Sequence, residues 1–196
     1  MANGTVSSGS SNNFAKYRNL YGYTLPQGKV SGDIVGVGIA GSNDHCYYWF
    51  RDGTVCSGTS SNADKYRNLY AYTLPADMTS NEIVGIAIAG SNDHCYVWFN
   101  DGTVCSGTSS NLFKYRPPYS YSLPSGKTPN DIVGVGIAGS NDHCYYWFRD
   151  GTVCSGTSSN ADKYRTLYAF DYPSGKSIVG IGIAGSNDHV YAWYST

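Results

Sequence analysis

The sequence is poor in charge and has no long hydrophobic run. Charged residues make up 14% of its 196 residues, and the formal net charge is −1. A nucleic-acid-binding domain normally carries a basic face, so this composition predicts no nucleic-acid partner. No segment approaches the roughly 20 apolar residues of a membrane-spanning helix. The charge balance gives no electrostatic reason to bind a membrane surface, and we expect no membrane insertion.

Two further patterns are missing. Residues 1–5 enter a repeated polar segment at once, without the basic and apolar regions of a signal peptide. We therefore expect a protein that is cytoplasmic or released without a signal peptide. No segment has a helical apolar period long enough to count as a helix, which predicts an all-β class.

What the sequence does contain is one unit repeated four times. The pentapeptide GSNDH follows an apolar, glycine-rich run in each unit. Periods of this length indicate propellers, solenoids or arrays. We treat the chain as a single domain, 1–196, with repeats at 34–82, 83–131, 132–177, and 178–196 completed by 1–33. The apolar runs begin 49, 49 and 46 residues apart, at Ile34, Ile83, Ile132 and Ile178.

The two ends of the chain are halves of the fourth unit. Residues 3–9 align with residues 52–58, and residues 191–194 align with residues 47–50. An open solenoid needs atypical polar repeats at its ends, whereas a closed ring needs its N-terminal strands to complete its last unit. We therefore predict a closed ring in which the chain break falls in the hairpin between the second and third strands of the last blade.

Each unit has the pattern of one propeller blade. Alternating segments separated by an Asp-Gly turn predict antiparallel strands, and four strands in about 49 residues make one blade. The predicted fold is an all-β, four-bladed β-propeller of four-stranded antiparallel blades, with the last blade closed by strands from both termini. In the first unit the strands are predicted at residues 34–40, 45–50, 55–59 and 69–74.

The aromatic residues of the second strand and the cysteines bear on packing. Trp49 and its three equivalents are predicted to form the core between blades, and glycines such as Gly36 are predicted where strands approach closely.

The fourth unit lacks both cysteines of the other units, which suggests a bridge within a blade. Counting along the hairpin, however, places Cys56 opposite Trp49 or Tyr48, too far from Cys46 for a disulfide. Buried thiols are favoured, in keeping with a chain without a secretion signal.

Polar loops of each unit are predicted to converge at one end of the ring. In an up-and-down blade the first-to-second and third-to-fourth loops emerge at the same end, here residues 42–44 and 60–67. The 19 tyrosines against 6 phenylalanines indicate a binding surface. A tyrosine ring face, a planar guanidinium group and Asn or Asp acceptors suit a neutral sugar. The candidate carbohydrate-binding residues are Asn43, Asp44, Tyr66, Arg67, Asn92, Asp93, Tyr115, Arg116, Asn141, Asp142, Tyr164, Arg165, Asn187, Asp188, Tyr17 and Arg18.

Structural roles for the same residues stay open. Asn43 and Asp44 can bond their own turn, and Arg67 can tie neighbouring blades together. Catalysis has little support, because Asp44 and His45 are sequence neighbours that point to opposite faces of a strand, and no oxyanion element is visible. We expect no enzymatic activity, no cofactor and no metal.

The unit at residues 34–58 combines an apolar strand ending in Ala-Gly, a Tyr-x-Trp strand and an Asp-Gly hairpin. In outline it resembles the repeat of tachylectin and tectonin β-propeller lectins. That resemblance implies recognition of glycans or glycoconjugates at several equivalent sites. The four-blade count looks like the hemopexin-type architecture, whose typical motifs are absent.

These observations together predict a multivalent lectin with up to four equivalent sites on one face of the ring. The alternative is a non-enzymatic protein-interaction or structural propeller, natural or engineered. A homo-oligomer in which two chains form a larger ring also stays open.

Overall fold

The computed structural model describes residues 1–41, 44–90, 94–139, 142–185 and 189–195. Within these ranges the chain forms four antiparallel sheets of four strands each. The strands are β1 (Gly4–Ser10), β2 (Asn13–Tyr23), β3 (Ile34–Ile39), β4 (Cys46–Phe50), β5 (Thr54–Gly58), β6 (Arg67–Ala71), β7 (Ile83–Ile88), β8 (Cys95–Phe99), β9 (Thr103–Gly107), β10 (Arg116–Ser120), β11 (Ile132–Ile137), β12 (Cys144–Phe148), β13 (Thr152–Gly156), β14 (Arg165–Ala169), β15 (Ile178–Ile183) and β16 (Val190–Ser195).

The sheets are the blades of a ring. Blade 1 is β3 to β6, blade 2 is β7 to β10, blade 3 is β11 to β14, and blade 4 has the order β15-β16-β1-β2. Strands from the two termini pair in blade 4, where Val6 lies opposite Trp193. The predicted four-bladed β-propeller, closed by both termini, is confirmed. The described ranges contain no helix with the length and hydrophobicity needed to span a bilayer.

The first strands of the four blades surround the ring axis and require small residues. A Cβ on Gly36 would lie 2.8 Å from Cγ1 of Ile86 in the next blade. At one end of the axis four glycines form a closed cycle of hydrogen bonds, in which each N–H donates to the carbonyl of the next blade. All four have positive φ, from 75° to 79°, which glycine adopts without steric cost. The cycle runs Gly41 to Gly90 (2.8 Å), Gly90 to Gly139 (2.7 Å), Gly139 to Gly185 (2.8 Å) and Gly185 to Gly41 (2.7 Å).

The hydrophobic core lies between blades, as predicted from the tryptophans. Trp49 is fully buried against Ile86 and other residues of blade 2. Its indole N–H donates to the carbonyl of Ser109 in that blade at 3.0 Å. The other three tryptophans donate the same hydrogen bond to a serine carbonyl of the following blade. At every boundary the buried indole therefore packs in the core and also has a partner for its N–H.

The cysteines do not form disulfides. All six lie in the described ranges as buried thiols. Cys56 is opposite Tyr48, and Cys46 is opposite Gly58. Cys56 donates instead to the carbonyl of Ala63 at 3.2 Å, and burial raises its pKa to about 12. The preference for thiols is confirmed.

The fourth strand differs from its prediction. It begins at Arg67, not at residue 69, and ends at Ala71. Val55 is opposite Tyr70 while Ser57 is opposite Arg67, so β6 has an extra residue between these pairs. Such a β-bulge changes which side chains share a face. The same irregularity occurs in the other three blades.

Candidate functional site

The third-to-fourth loops and the described residue of the first-to-second loop, Asp44, lie at one end of the ring, termed here the tyrosine face. It is defined by four exposed tyrosines, of which three end a third-to-fourth loop and the fourth, Tyr17, lies at the equivalent position within β2. Their exposed fractions are nearly equal, so the four positions are equivalent in this respect. These residues are Tyr17 (57%), Tyr66 (55%), Tyr115 (56%) and Tyr164 (56%).

Each exposed tyrosine ends a series of aromatic rings that starts in the core. The Tyr66 ring lies edge-on to His45, with centroids 5.0 Å apart. His45 stacks on Tyr47 at 5.2 Å, and Tyr47 stacks on Trp49 at 6.0 Å. The backbone N–H of Tyr66 donates to the carbonyl of Ser57 at 3.0 Å. The tyrosine is therefore held in place while more than half of its side chain stays open to solvent.

The bulge in the fourth strand positions the arginine. Arg67 and Tyr70 are three residues apart, and a regular strand would place them on opposite faces. With the bulge, the guanidinium carbon of Arg67 lies 3.5 Å from the Tyr70 ring centroid. Arg67 is exposed, so its N–H edge can reach a ligand while the stack fixes its plane. The pairs Arg18 with Tyr21, Arg116 with Tyr119 and Arg165 with Tyr168 have the same distance.

The stacking tyrosines were not among the predicted site residues. The signal for them is the spacing Arg-x-x-Tyr, which recurs in all four units. The strand periodicity gave no reason to pair this arginine with this tyrosine, because residues three apart do not share a face of a regular strand. His45 and its equivalents were not among the candidate carbohydrate-binding residues either, yet their rings contact the exposed tyrosines.

The carboxylates of the predicted site stabilise loops. Asp44 accepts hydrogen bonds from the Ser60 backbone N–H at 2.8 Å and from its hydroxyl at 3.2 Å. Ser60 in turn shares a 2.8 Å hydrogen bond with the hydroxyl of Tyr21 in blade 4. Asp142 bonds Ser158 in the same way at the boundary of blades 2 and 3. These two aspartates therefore have a structural role, but they bond the third-to-fourth loop and not, as the alternative had expected, their own turn.

The site groups also mix residues of two blades. Asp44 of blade 1 and Arg18 of blade 4 both act electrostatically on Tyr21 and Tyr191. At the boundary of blades 2 and 3, Asp142 and Arg116 likewise interact electrostatically with Tyr96 and Tyr119. The candidate site residues are accordingly grouped at blade boundaries, not within single blades.

Burial keeps the boundary phenols neutral. It raises the pKa of Tyr21 to about 12, although the Ser60 hydrogen bond acts in the opposite direction. Burial likewise raises the pKa of Tyr96 to about 12. At neutral pH these hydroxyls are protonated and can both donate and accept hydrogen bonds.

Of the sixteen predicted residues, ten are described: the four tyrosines, the four arginines, Asp44 and Asp142. The other six lie outside the described residues, namely Asn43, Asn92, Asp93, Asn141, Asn187 and Asp188. In the described part of the chain, no group of three His, Cys, Asp or Glu side chains is arranged to hold a metal ion.

Comparison with known proteins gives the fold. No model of a protein family matches the chain, and no curated protein matches its sequence. Among solved structures, LS24, a seed albumin from Lathyrus sativus, matches with a TM-score of 0.52 at 9% identity, over 82% of each chain. The hemopexin fold protein CP4 from cow pea matches with a TM-score of 0.52 at 11% identity, again over 82% of each chain.

At this identity the likeness shows the fold alone. The chain shares the β-propeller architecture of these proteins, which agrees with the four blades observed. The resemblance of its repeat to tachylectin and tectonin lectins stays a prediction.

Proposed function

We propose that this protein is a lectin with up to four equivalent sites on the tyrosine face, and that it acts by binding without catalysis. The observation that carries the proposal is the set of four tyrosines, each 55–57% exposed and each held by the ring of a histidine. An exposed aromatic ring on a fixed scaffold is suited to stack on the apolar face of a sugar.

The polar groups around each ring complete such a site. Arg67, held flat on Tyr70, offers several N–H donors in a fixed plane to sugar hydroxyls. The neutral phenols at blade boundaries can donate and accept. Asp44 and Asp142 act indirectly in this proposal, because their oxygens already bond the loops that carry Ser60 and Ser158.

Repetition would compensate for a weak single site. A shallow surface with one ring and one guanidinium group binds a monosaccharide weakly, but four such sites on one face can engage a glycan-coated surface together. Avidity from linked sites can exceed the single-site affinity by about 10² to 10⁴. The proposed targets are therefore glycans or glycoconjugates presented at high density.

A glycan-array screen of labelled protein, repeated with a competing free sugar, tests the proposal. We expect binding to a coherent group of glycans that the free sugar inhibits. The variant with Tyr17, Tyr66, Tyr115 and Tyr164 all changed to Ala should lose at least about tenfold in binding. Its fold should persist, because exposed side chains contribute little to stability.

The control variant is Val30→Ala, an equally exposed apolar residue (58%) on the opposite end of the ring. It should bind like the unchanged protein. If the four-tyrosine variant unfolds, the tyrosines are part of the core and the site assignment is wrong.

A protein-interaction ring is the second candidate. Its support is that Asp44 and Asp142 are hydrogen-bonded within the ring, while the tyrosines and arginines of this face stay exposed, and these residue types are enriched in protein interfaces. A blank array with folded protein would favour this candidate over the lectin.

A further inference from the structure

The linker before blade 4 is shorter than the other three linkers. In the other linkers a short 3-10 turn precedes the first strand: Ser31–Asp33, Ser80–Glu82 and Pro129–Asp131. Each turn ends in a carbonyl that accepts from the hairpin of its blade, as from Arg149 to Asp131 at 2.7 Å. Before β15, Ser177 makes this bond to Ser195 at 3.0 Å without any 3-10 turn in the described residues 171–178.

A cavity of about 150 Å³ lies beside the shortened linker, at the end of the ring opposite the tyrosine face. Its lining includes Phe148, Arg149, Phe170, Tyr172 and Lys176. The lining residues include two cations and no carboxylate. A cavity of this volume can hold a benzene-sized ring.

The missing turn removes a partner of Arg149. The equivalent residue in blade 1, Arg51, donates from Nη1 to the side chain of Asn81 at 3.1 Å, and Asn81 belongs to the 3-10 turn of the following linker. Arg149 has no such turn facing it. Within the described ranges, the guanidinium group of Arg149 donates one hydrogen bond, from Nη2 to the Asn130 carbonyl at 3.4 Å, and Arg51 makes the same bond to Gly32.

Lys176 also lacks the partner that its equivalents have. Lys29 and Lys127 each form an ion pair with an aspartate of the hairpin in their blade, Asp52 and Asp150. In blade 4 that hairpin position is Asn3. Its Oδ1 accepts from the Leu25 N–H at 2.8 Å, and its Nδ2 donates to a backbone carbonyl. Among the described residues Lys176 has no ion pair.

One position of the lining is aromatic in this unit alone. Tyr172 stands where the other units have Leu25, Leu74 and Leu123. It is 40% exposed and stacks on Phe170, which is 5% exposed, with centroids 5.8 Å apart. It also stacks on Tyr194 at 6.5 Å. A flat ring can therefore lie against a fixed aromatic surface beside two cations that form no ion pair with the described residues.

We propose that this cavity is a binding site for one small aromatic carboxylate per chain. The carboxylate would bind Arg149 and Lys176, and the ring would pack against Phe170 and Tyr172. The three features that distinguish this boundary, a shortened linker, an Asn in place of Asp and a Tyr in place of Leu, all serve such a ligand. The proposal does not depend on carbohydrate binding, which involves the other end of the ring.

Titration calorimetry with benzoate tests the site on the full chain. We expect one benzoate per chain and no measurable heat with benzamide, which has the same shape without the charge. Arg149→Gln and Lys176→Gln should each weaken benzoate binding about tenfold or more, since each removes a charge-assisted bond. The matched variants Arg51→Gln and Lys29→Gln remove the equivalent residues of blade 1 and should leave benzoate binding unchanged.

A second variant tests the role of the linker. Inserting Ser-Asn-Glu between Ser177 and Ile178 restores the length of the other linkers and should abolish benzoate binding in a folded protein. The proposal is overturned if folded protein does not bind millimolar benzoate, or if the Arg149 and Arg51 variants bind it equally. Tighter binding of glucuronate than of benzoate would overturn the aromatic specificity.

Discussion

At the scale of single residues, Gly85 is a position where one added carbon should be costly. A Cβ there would lie 2.6 Å from Cγ2 of Val135 and 3.2 Å from its Cβ. Both strands are fixed in their blades, so neither can move away. We expect Gly85→Ala to lower the free energy of unfolding by about 1–3 kcal/mol, as for other overpacked cores, measured by denaturant unfolding.

Gly32→Ala is the control for that prediction. Gly32 is exposed in a 3-10 turn, and an added Cβ would have no atom within 4 Å. Its effect should stay within about 0.5 kcal/mol. Equal stability of the two variants would show that the inner strands are less tightly packed than the distances indicate. Two residues along the same strand an added Cβ is accepted, because Ala87 stands where the other units have Gly38, Gly136 and Gly182.

Of the two cysteines missing from blade 4, the structure accounts for one, and nothing in it explains Val190 in place of Cys46. The sequence suggested a disulfide as the reason, but Ser7, at the place of Cys56, donates to the Phe14 carbonyl at 2.7 Å. It also shares a 3.0 Å hydrogen bond with the hydroxyl of Tyr194, which replaces a phenylalanine. In blade 4, Ser7 and Tyr194 therefore replace the cysteine and phenylalanine of the other blades, and the two new hydroxyls bond each other. The number and spacing of the cysteines alone could not reveal this exchange.

At the scale of elements, strands were predictable and their irregularities were not. The first three strands of each blade lie within one or two residues of the prediction, because alternation and the Asp-Gly turn fix them. The start of the fourth strand could be predicted only from the pairing of Ser57 with Arg67, and no local sequence pattern indicates that pairing. The four arginines of the candidate site depend on that bulge, since it brings Arg67 over Tyr70 and each equivalent arginine over its tyrosine.

The loop at residues 157–161 gives the prediction at this scale. Asp142 holds the Ser158 N–H and hydroxyl, the Ser158 carbonyl accepts from Trp98 at 3.1 Å, and its hydroxyl bonds Tyr119 at 2.9 Å. We expect Asp142→Ala to lower the free energy of unfolding by about 1–3 kcal/mol, because buried donors lose their acceptor. Thermal unfolding followed by near-UV circular dichroism measures it.

Asp162→Ala tests whether that effect is specific. Asp162 lies in the third-to-fourth loop of the same blade, and no hydrogen bond joins it to the described residues. Its loss should change stability by no more than about 0.5 kcal/mol. If Asp142→Ala is as stable as the unchanged protein but loses glycan binding, the carboxylate acts on the ligand and its assignment to the loop is wrong.

At the scale of the whole molecule, the repeat spacing was the strongest signal in the sequence. It predicted the number of blades and the closure of blade 4 by both termini. The shortened spacing before Ile178 was visible too, but its consequence was not. That required the contacts of Arg51 and Lys29 in the other units, which show what Arg149 and Lys176 lack.

Closure of the ring should decide whether the chain folds. Residues 1–23 supply β1, which pairs with β16, and β2, which pairs with β1. They also contact blade 3, where Trp147 donates to the Ser11 carbonyl at 2.9 Å and packs on Phe14 with centroids 5.7 Å apart. Without them, β16 becomes an unpaired edge, which promotes association. We expect residues 24–196 alone to lose cooperative unfolding and to self-associate, as measured by circular dichroism and size-exclusion chromatography.

Adding a peptide of residues 1–23 should restore a monomeric complex by completing the blade, since strand addition supplies the missing backbone partners. A peptide of the same composition in scrambled order should not. A truncated chain that stays monomeric and unfolds like the full protein would mean that three blades and a half suffice. The cycle of four glycine hydrogen bonds and the core between neighbouring blades would then be stable without the shared blade.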